Sequence, residues 1–311
     1  MGPHGPVVWL GFTGLVIALL VLDLGVLNRR SHVLSFKEAT SWSAGLIAMA
    51  LLFGGFVWWR EGSQHALEYY TGYLIELSLS VDNLFVFILI FNYFRVPSEA
   101  QPKVLKWGIL GAIVMRFIMI GLGALLLARF EWIIYVFGGI LILTGIRMLT
   151  QKDERMELER NPVVRLARRL LPLSKSYDGT NFFSRNAATG KLLATPLLLV
   201  LIVVEWSDLV FAIDSIPAIF AVTRDPFLVY SSNVFAILGL RALFFVLAGM
   251  MDRFAYLKPG VALILVFVGG KMALSAWTHV PILVSLAVIL LTLAGAVGLS
   301  LARTAREARA R

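Results

Sequence analysis

Nine apolar runs, each about as long as a bilayer is thick, constrain this chain more than any other feature. A helix needs about 20 mostly apolar residues to cross the hydrocarbon core. The runs are continuous and lack the period-two alternation of a membrane β-barrel. We place the spans at residues 6–27, 42–59, 68–94, 105–128, 132–149, 194–222, 229–251, 258–277 and 280–301. We therefore expect an all-α, polytopic membrane protein of about nine transmembrane helices.

Composition and charge agree with this class and exclude others. The chain is 59% apolar and only 15% charged, which is too apolar for a soluble enzyme. It has no cysteine, so disulfides, thiol redox chemistry and thiolate metal sites are excluded. Its net charge of +9 is better explained by loop orientation than by nucleic-acid binding.

Lysine and arginine are distributed unequally between the two sides that nine spans would create. With the N-terminus outside, the inner segments hold 21 basic residues and the outer loops hold three. The positive-inside rule then predicts a cytoplasmic C-terminus. The longest inner connection, residues 150–193, contains a basic stretch at 165–173. That stretch is either an amphipathic helix on the anionic inner leaflet or a solvated linker.

Five acidic residues lie inside predicted spans, where each costs at least about 2.5–3.5 kcal/mol. They occupy the third and sixth spans and are Glu76, Asp82, Glu205, Asp208 and Asp214. Structural ion pairing is the simplest explanation, but the central arginines of neighbouring spans, Arg116 and Arg241, cannot neutralise five carboxylates. A metal ion or protons would offset the remaining charge.

The spacing of the polar residues places some of them on one helix face. Glu76 and Asn83 are seven residues apart, as are Asp208 and Ser215. Asp82 lies about 120° round a regular helix from Glu76. The carboxylates therefore converge only if a helix is locally unwound or the site lies between helices. Pro217 favours an interruption in the sixth span.

Two halves of the chain resemble each other in the order of these features. Glu76-x5-Asp82-Asn83 matches Asp208-x5-Asp214-Ser215 at an offset of 132, and the next span in each half has a central arginine. Each unit has three spans, so the second copy would be inverted, as in transporters. We therefore expect one transmembrane transporter domain over residues 1–311, with repeat 1 at 68–149, a cytoplasmic loop at 150–193 and repeat 2 at 194–277.

The polar groups inside the spans are carboxylates, Asn83 and serine hydroxyls, with no histidine deep in a span. An all-oxygen set suits hard or borderline divalent cations such as Mn²⁺, Ca²⁺ or Mg²⁺. Crowded acids in low dielectric take up protons when the metal leaves. Proton-coupled metal exchange follows as a hypothesis.

The motifs Glu76-Leu-Ser-Leu-Ser-Val-Asp82-Asn83 and Glu205-x2-Asp208-x2-Phe211-Ala-x-Asp214-Ser215-Ile-Pro217 resemble those of the TerC family of integral membrane proteins, in particular its Alx-type manganese exporters. The resemblance covers most of the chain. It implies Mn²⁺ efflux across the inner (plasma) membrane. The family name comes from tellurite resistance, and a redox-modulator role has been proposed for members.

Our principal hypothesis is a Mn²⁺ exporter. Its candidate metal-site residues are Glu76, Asp82, Asn83, Glu205, Asp208, Asp214 and Ser215, with Arg116 and Arg241 as gating or charge-balancing residues. Asp82 and Asp214 are the expected direct ligands. Glu205 has no counterpart in the first repeat and would support the ligands or relay protons.

The alternatives are a Ca²⁺ transporter and a stress-response membrane scaffold of the tellurite-resistance type, docking partners through residues 150–193. An intramembrane aspartyl protease is disfavoured because the Gly-x-Gly-Asp signature is missing. We expect no enzymatic activity and no cofactor. The expected partners are the transported ion and membrane lipid but no nucleic acid, and a homo-oligomer is left open.

Overall fold

The chain folds into helices, in agreement with the predicted all-α membrane class. A computed structural model of the protein describes residues 5–22, 35–130, 132–150, 162–174, 176–185, 190–248, 256–275, 277 and 280–309. Within these ranges, the side chains of residues 82, 162, 163, 168 and 305–309 lie outside the description. The helices are α1 (Pro6–Leu20), α2 (Phe36–Glu61), α3 (Ser63–Tyr93), α4 (Gln101–Arg129), α5 (Ile133–Thr150), α6 (Pro162–Leu170), α7 (Pro196–Phe220), α8 (Pro226–Leu238), α9 (Leu240–Ala248), α10 (Leu257–Ala273) and α11 (Ile282–Arg309).

Local signals set several of the helix starts. Ser35 forms a capping box with Glu38 at the start of α2, and the Asp225 carboxylate accepts from the amide of Phe227 at the start of α8. Four of the long or apolar helices have proline in their first turn, where the missing amide has no intrahelical partner to lose: α1, α4, α7 and α8.

Six of the described helices are long and apolar enough to cross a membrane, and a seventh span results if α8 and α9 are taken together. These two helices are bent by 43° at Gly239. The helices at the other two predicted spans are shorter in the described residues, with 15 residues in α1 and 17 in α10. The count of nine therefore stays a prediction.

Four helices form the core. α3 packs against α7 and α8, and α4 packs against the same two helices. Contacts across the diagonals, between α3 and α4 and between α7 and α8, are sparse in the described part of the chain. The four helices therefore enclose a common interior, around which α2, α5, α9, α10 and α11 pack.

Contacts between the two predicted repeats come in reciprocal pairs. α3 packs on α8 as α4 packs on α7, and α5 packs on α7 as α10 packs on α3. α5 and α10 form an extensive antiparallel pair, in which Gly138 lies against Gly269 and Gly145 against Ala262. Two inverted copies would pair in this way, but the repeat and its boundaries stay predictions.

The connection at residues 150–193 contains regular secondary structure in its described part. Its basic stretch forms the amphipathic helix α6, and two short strands that the sequence does not predict pair antiparallel, β1 (Phe183–Arg185) with β2 (Leu192–Ala194). The Tyr177 hydroxyl donates to the carbonyl of Phe94 at 2.8 Å, and the Lys103 ammonium donates to the carbonyl of Thr180. Burial raises the pKa of Tyr177, which keeps its phenol a hydrogen-bond donor.

Candidate functional site

Arg116 lies in the interior enclosed by α3, α4, α7 and α8. It is fully buried on α4 and its guanidinium contacts acids from two other helices. Nη2 donates to Asp208 Oδ1 at 3.1 Å, and Nη1 donates to Glu76 Oε1 on α3. Nη1 also lies 3.3 Å from the hydroxyl oxygen of Ser215. The structure thus brings Glu76, Asp208 and Ser215 together around one arginine.

This cluster contains more negative than positive charge. Glu76 and Asp208 are both buried, and together they face one guanidinium. The second oxygen of Glu76, Oε2, is buried and has no hydrogen-bond partner among the described residues. Buried charges are strongly unfavourable unless they are paired and fully hydrogen-bonded. The arrangement is therefore suited to receive a further positive charge, either a proton or a metal ion.

Asn83 extends the polar face of α3 away from Glu76. Glu76, Ser80 and Asn83 are buried and follow the spacing of one helix face. The Ser80 hydroxyl and the Asn83 amide nitrogen have no hydrogen-bond partner among the described residues. The backbone of Asp82 lies in α3, and its side chain lies outside the described residues. α3 is helical throughout, so the cluster lies between helices and not at an unwound segment.

Asp214 occupies a different place from the Arg116 cluster. Its carboxylate is half-buried and accepts from the Thr144 hydroxyl of α5 at 2.8 Å. Arg147, one turn further along α5, interacts with it electrostatically. The sequence did not identify Thr144, because a threonine in an apolar span gives no signal by itself. α7 remains helical through Pro217, so the predicted interruption beside Asp214 is absent from α7.

Glu205 faces α4, one turn before Asp208 on α7. Its carboxylate lies so close to Gly111 that a Cβ added there would be 2.1 Å from Oε1. A Cβ at this position would therefore displace the end of the flexible Glu205 side chain. Glu205 also lines an otherwise apolar cavity of about 650 Å³ between α4 and α7, with Trp107, Met115 and Leu209 among its walls.

Arg241 is buried at the start of α9, directly after the bend at Gly239. It therefore lies beside the bend between α8 and α9. Its predicted role as a gating or charge-balancing residue stays a prediction.

The predicted site acids whose side chains are described lie in three places. Glu76 and Asp208 contact Arg116, Asp214 faces α5, and Glu205 faces α4. Among the residues whose side chains are described, no group of three or more histidine, aspartate or glutamate residues could hold a metal ion. Asp82 is not among them. The candidate metal set that the sequence suggests stays a prediction.

One buried residue of the core was missed by sequence reasoning. Asn233 on α8 is 0% exposed, and neither its amide oxygen nor its amide nitrogen has a hydrogen-bond partner among the described residues. Its only signal in the sequence is an amide within an apolar span.

Comparisons with known proteins identify relatives along almost the entire chain. Residues 61–308 match the model of the integral membrane protein TerC family. A membrane protein of Myxococcus xanthus, STKORF319, is 52% identical over 304 residues, covering 98% of this chain and 93% of the relative. The membrane-bound redox modulator Alx of Escherichia coli K12 is 48% identical over 293 residues, covering 91% of each chain. No solved structure matches the chain.

Proposed function

Because this chain belongs to the TerC family of integral membrane proteins, we propose that it exports divalent metal cations, with Mn²⁺ as the first candidate cargo. The observation that carries the proposal is the Arg116 cluster. Two buried carboxylates from α3 and α7 face one guanidinium from α4. A purely structural ion pair would need one acid.

The chemistry of the donor atoms supports a hard or borderline divalent ion. The groups near Arg116 are the carboxylates of Glu76 and Asp208 and the hydroxyl of Ser215, with Asn83 further along α3. Oxygen ligands of this kind suit Mn²⁺, Ca²⁺ and Mg²⁺, while thiolate chemistry is excluded by the absence of cysteine. Ca²⁺ is therefore the alternative cargo.

Arg116 supports a mechanism of charge exchange. A divalent ion and the guanidinium compete for the same carboxylates, so an arriving ion displaces Arg116 and a departing ion restores it. The acids of α7 continue the route to either side, because Glu205 lies about 4.5 Å before Asp208 along the axis and Asp214 about 9 Å after it. Half-buried acids at these positions suit ion transfer or proton transfer.

Location and orientation belong to the same proposal. We place the protein in the inner (plasma) membrane with its N-terminus outside and its C-terminus in the cytoplasm. Exposed tryptophans mark helix ends as interfacial without deciding which side is outer: Trp58, Trp59, Trp132 and Trp277 lie at ends that this topology assigns to the outer interface, and Trp107 near an end that it assigns to the inner one. Tryptophan is enriched at membrane–water interfaces.

The substitution Asp208→Asn tests the proposal directly. It removes one carboxylate and leaves the neutral Glu76–Arg116 pair, so the fold should persist. We expect Mn²⁺ efflux from cells, and Mn²⁺ flux in proteoliposomes, to fall at least about tenfold.

Asp178→Asn, at an exposed acid of the inner connection, is the matched control and should transport normally. Wild-type rates in Asp208→Asn would contradict the proposal. Flux that is indifferent to an imposed pH gradient would remove proton coupling from it.

A scaffold role is the second candidate. The observation that favours it is the folded inner connection, in which α6 exposes Leu166 and Leu170 and the hairpin exposes Phe183 and Leu192. The name of the Escherichia coli relative, a redox modulator, would fit an indirect role, because this chain has no thiol. Deleting the hairpin of β1 and β2 and measuring both the stress phenotype and Mn²⁺ efflux separates the two roles. If the connection acts as a scaffold, the deletion abolishes the stress phenotype and leaves efflux unchanged.

A further inference from the structure

The geometry points to Asn233 as a neutral oxygen ligand of the cation site; this inference rests on the proposed transport function. Asn233 is fully buried in α8, and both polar atoms of its carboxamide lack hydrogen-bond partners among the described residues. Buried polar groups are nearly always hydrogen-bonded, so a buried carboxamide without partners in the protein indicates that a ligand binds there.

The neighbours of Asn233 on α8 fix the direction in which it faces. Ser232 faces α3, where a Cβ added to Gly72 would lie 3.1 Å from its hydroxyl oxygen. The Tyr230 ring packs on Phe117 of α4, with 5.3 Å between centroids. At about 100° per residue, Asn233 projects about 100° from Ser232 and about 60° from Tyr230, between the two. It therefore faces the interior shared by α3, α4 and α7.

The opposite side of α8 is occupied by other helices. Phe227 and Phe235 pack against Phe12 of α1 and Phe53 of α2. The carboxamide of Asn233 therefore points away from α1 and α2, into the space between α3 and α4.

The depth of Asn233 in the bundle matches that of the Arg116 cluster. α3 and the α8–α9 segment run in the same direction, because Gly72 lies against Ser232 and Phe91 against Phe244. Glu76 lies four residues after Gly72 and Asn233 one residue after Ser232, which leaves an axial separation of about 4.5 Å. Arg116 is adjacent to Phe117 in α4. The ring of Phe117 packs on Tyr230, which precedes Asn233 by less than one turn of α8.

The chemistry of a carboxamide explains what it would add. Its oxygen is a neutral, hard donor of the kind that Mn²⁺, Ca²⁺ and Mg²⁺ accept. It contributes a ligand without adding a further negative charge to a buried cluster that already has an excess acid.

Thermal unfolding of the purified full-length protein in detergent, with Mn²⁺ or Ca²⁺ added, tests the inference separately from transport. In Asn233→Leu, we expect the melting temperature without metal to be unchanged or higher, because an unpaired polar group has been removed. The Mn²⁺ concentration that gives half of the metal-dependent stabilisation should rise at least about tenfold.

Ser231→Ala is the matched control, since Ser231 is equally buried on α8 but donates to the carbonyl of Leu228. It should respond to Mn²⁺ like the wild type. Asn233→Ala is measured in parallel, so that the inference is still tested if only one of the two variants folds.

A wild-type response to Mn²⁺ in both variants overturns the inference, as does the failure of both to fold, which would make Asn233 a structural residue. A wild-type protein that binds no divalent ion overturns the proposed function, and this inference with it.

Discussion

Arg116 contacts Glu76, Asp208 and Ser215 from the middle of α4, and its environment is entirely buried. At the scale of single residues, the proposed function depends on the balance of charge within this buried cluster. Each carboxylate is stabilised only as long as the guanidinium or another cation is present. The same low dielectric makes the cluster sensitive to changes of a single side chain.

Arg116→Leu should destabilise the protein by about 3–5 kcal/mol, because it leaves two buried carboxylates without a countercharge. The measurement is thermal unfolding in detergent. The triple variant Arg116→Leu, Glu76→Gln, Asp208→Asn should recover most of the loss, since it removes all three charges. Arg129→Gln, at the exposed end of α4, is the control and should unfold like the wild type. Equal stability of Arg116→Leu and the control would contradict the electrostatic explanation.

Gly111→Ala should disturb Glu205, because the added methyl group would overlap a carboxylate that lies within 2.1 Å of its position. Because the carboxylate is the end of a flexible side chain, we expect it to rotate away with little loss of stability, and Mn²⁺ efflux to slow. Gly121→Ala on the same helix meets no atom within 4 Å and is the control. In a Glu205→Ala protein, Gly111→Ala should slow efflux no further; a further loss of the same size would mean that the two residues do not interact.

At the scale of helices, continuity is decided by packing more than by residue type. α7 continues through Pro217 to Phe220, because the proline removes one amide donor while α3, α4 and α5 hold the helix on several sides. The bend occurs instead at Gly239, between α8 and α9, where no side chain stiffens the backbone.

The antiparallel contact of α5 and α10 gives a test at the same scale. At Gly138 an added Cβ would lie 2.9 Å from the carbonyl oxygen of Gly269, which is backbone and cannot rotate away. Gly138→Ala should therefore lower stability by at least about 1–3 kcal/mol. Gly139→Ala, with no atom within 4 Å, should be neutral. Thermal unfolding is measured for both variants. A loss of glycine flexibility would affect Gly138→Ala and Gly139→Ala equally, whereas close packing affects only Gly138→Ala.

At the scale of the whole molecule, the number of spans determines on which side each terminus lies. Nine spans would place the N-terminus and the C-terminus on opposite sides of the membrane, and we propose from the 21 basic residues of the predicted inner segments that the C-terminus is the cytoplasmic end. Reporter fusions at each end should therefore report the C-terminus inside and the N-terminus outside. If both ends report the same side, the number of spans is even and the inverted repeat has to be reassigned.

Several features of this protein could be predicted from local sequence. The apolar runs predicted α2 to α5 and α7, because helix formation inside a bilayer depends on residues close together in the chain. The presence of acids and arginines within apolar segments could likewise be read from the sequence. The sequence did not predict Asn233 as an unpartnered group, nor Thr144 as the partner of Asp214, because those properties depend on which helix packs opposite.

By itself, the sequence determined the membrane class, the helical segments and the presence of an excess of buried acid, since each follows from composition and periodicity within one segment. The tertiary structure decided that Glu76 and Asp208 share one guanidinium, that Glu205 rests on Gly111 and that Asp214 faces α5. These contacts join residues of different helices, from 40 to more than 90 positions apart in the chain. They depend on the order in which helices pack round the core, which no local pattern specifies.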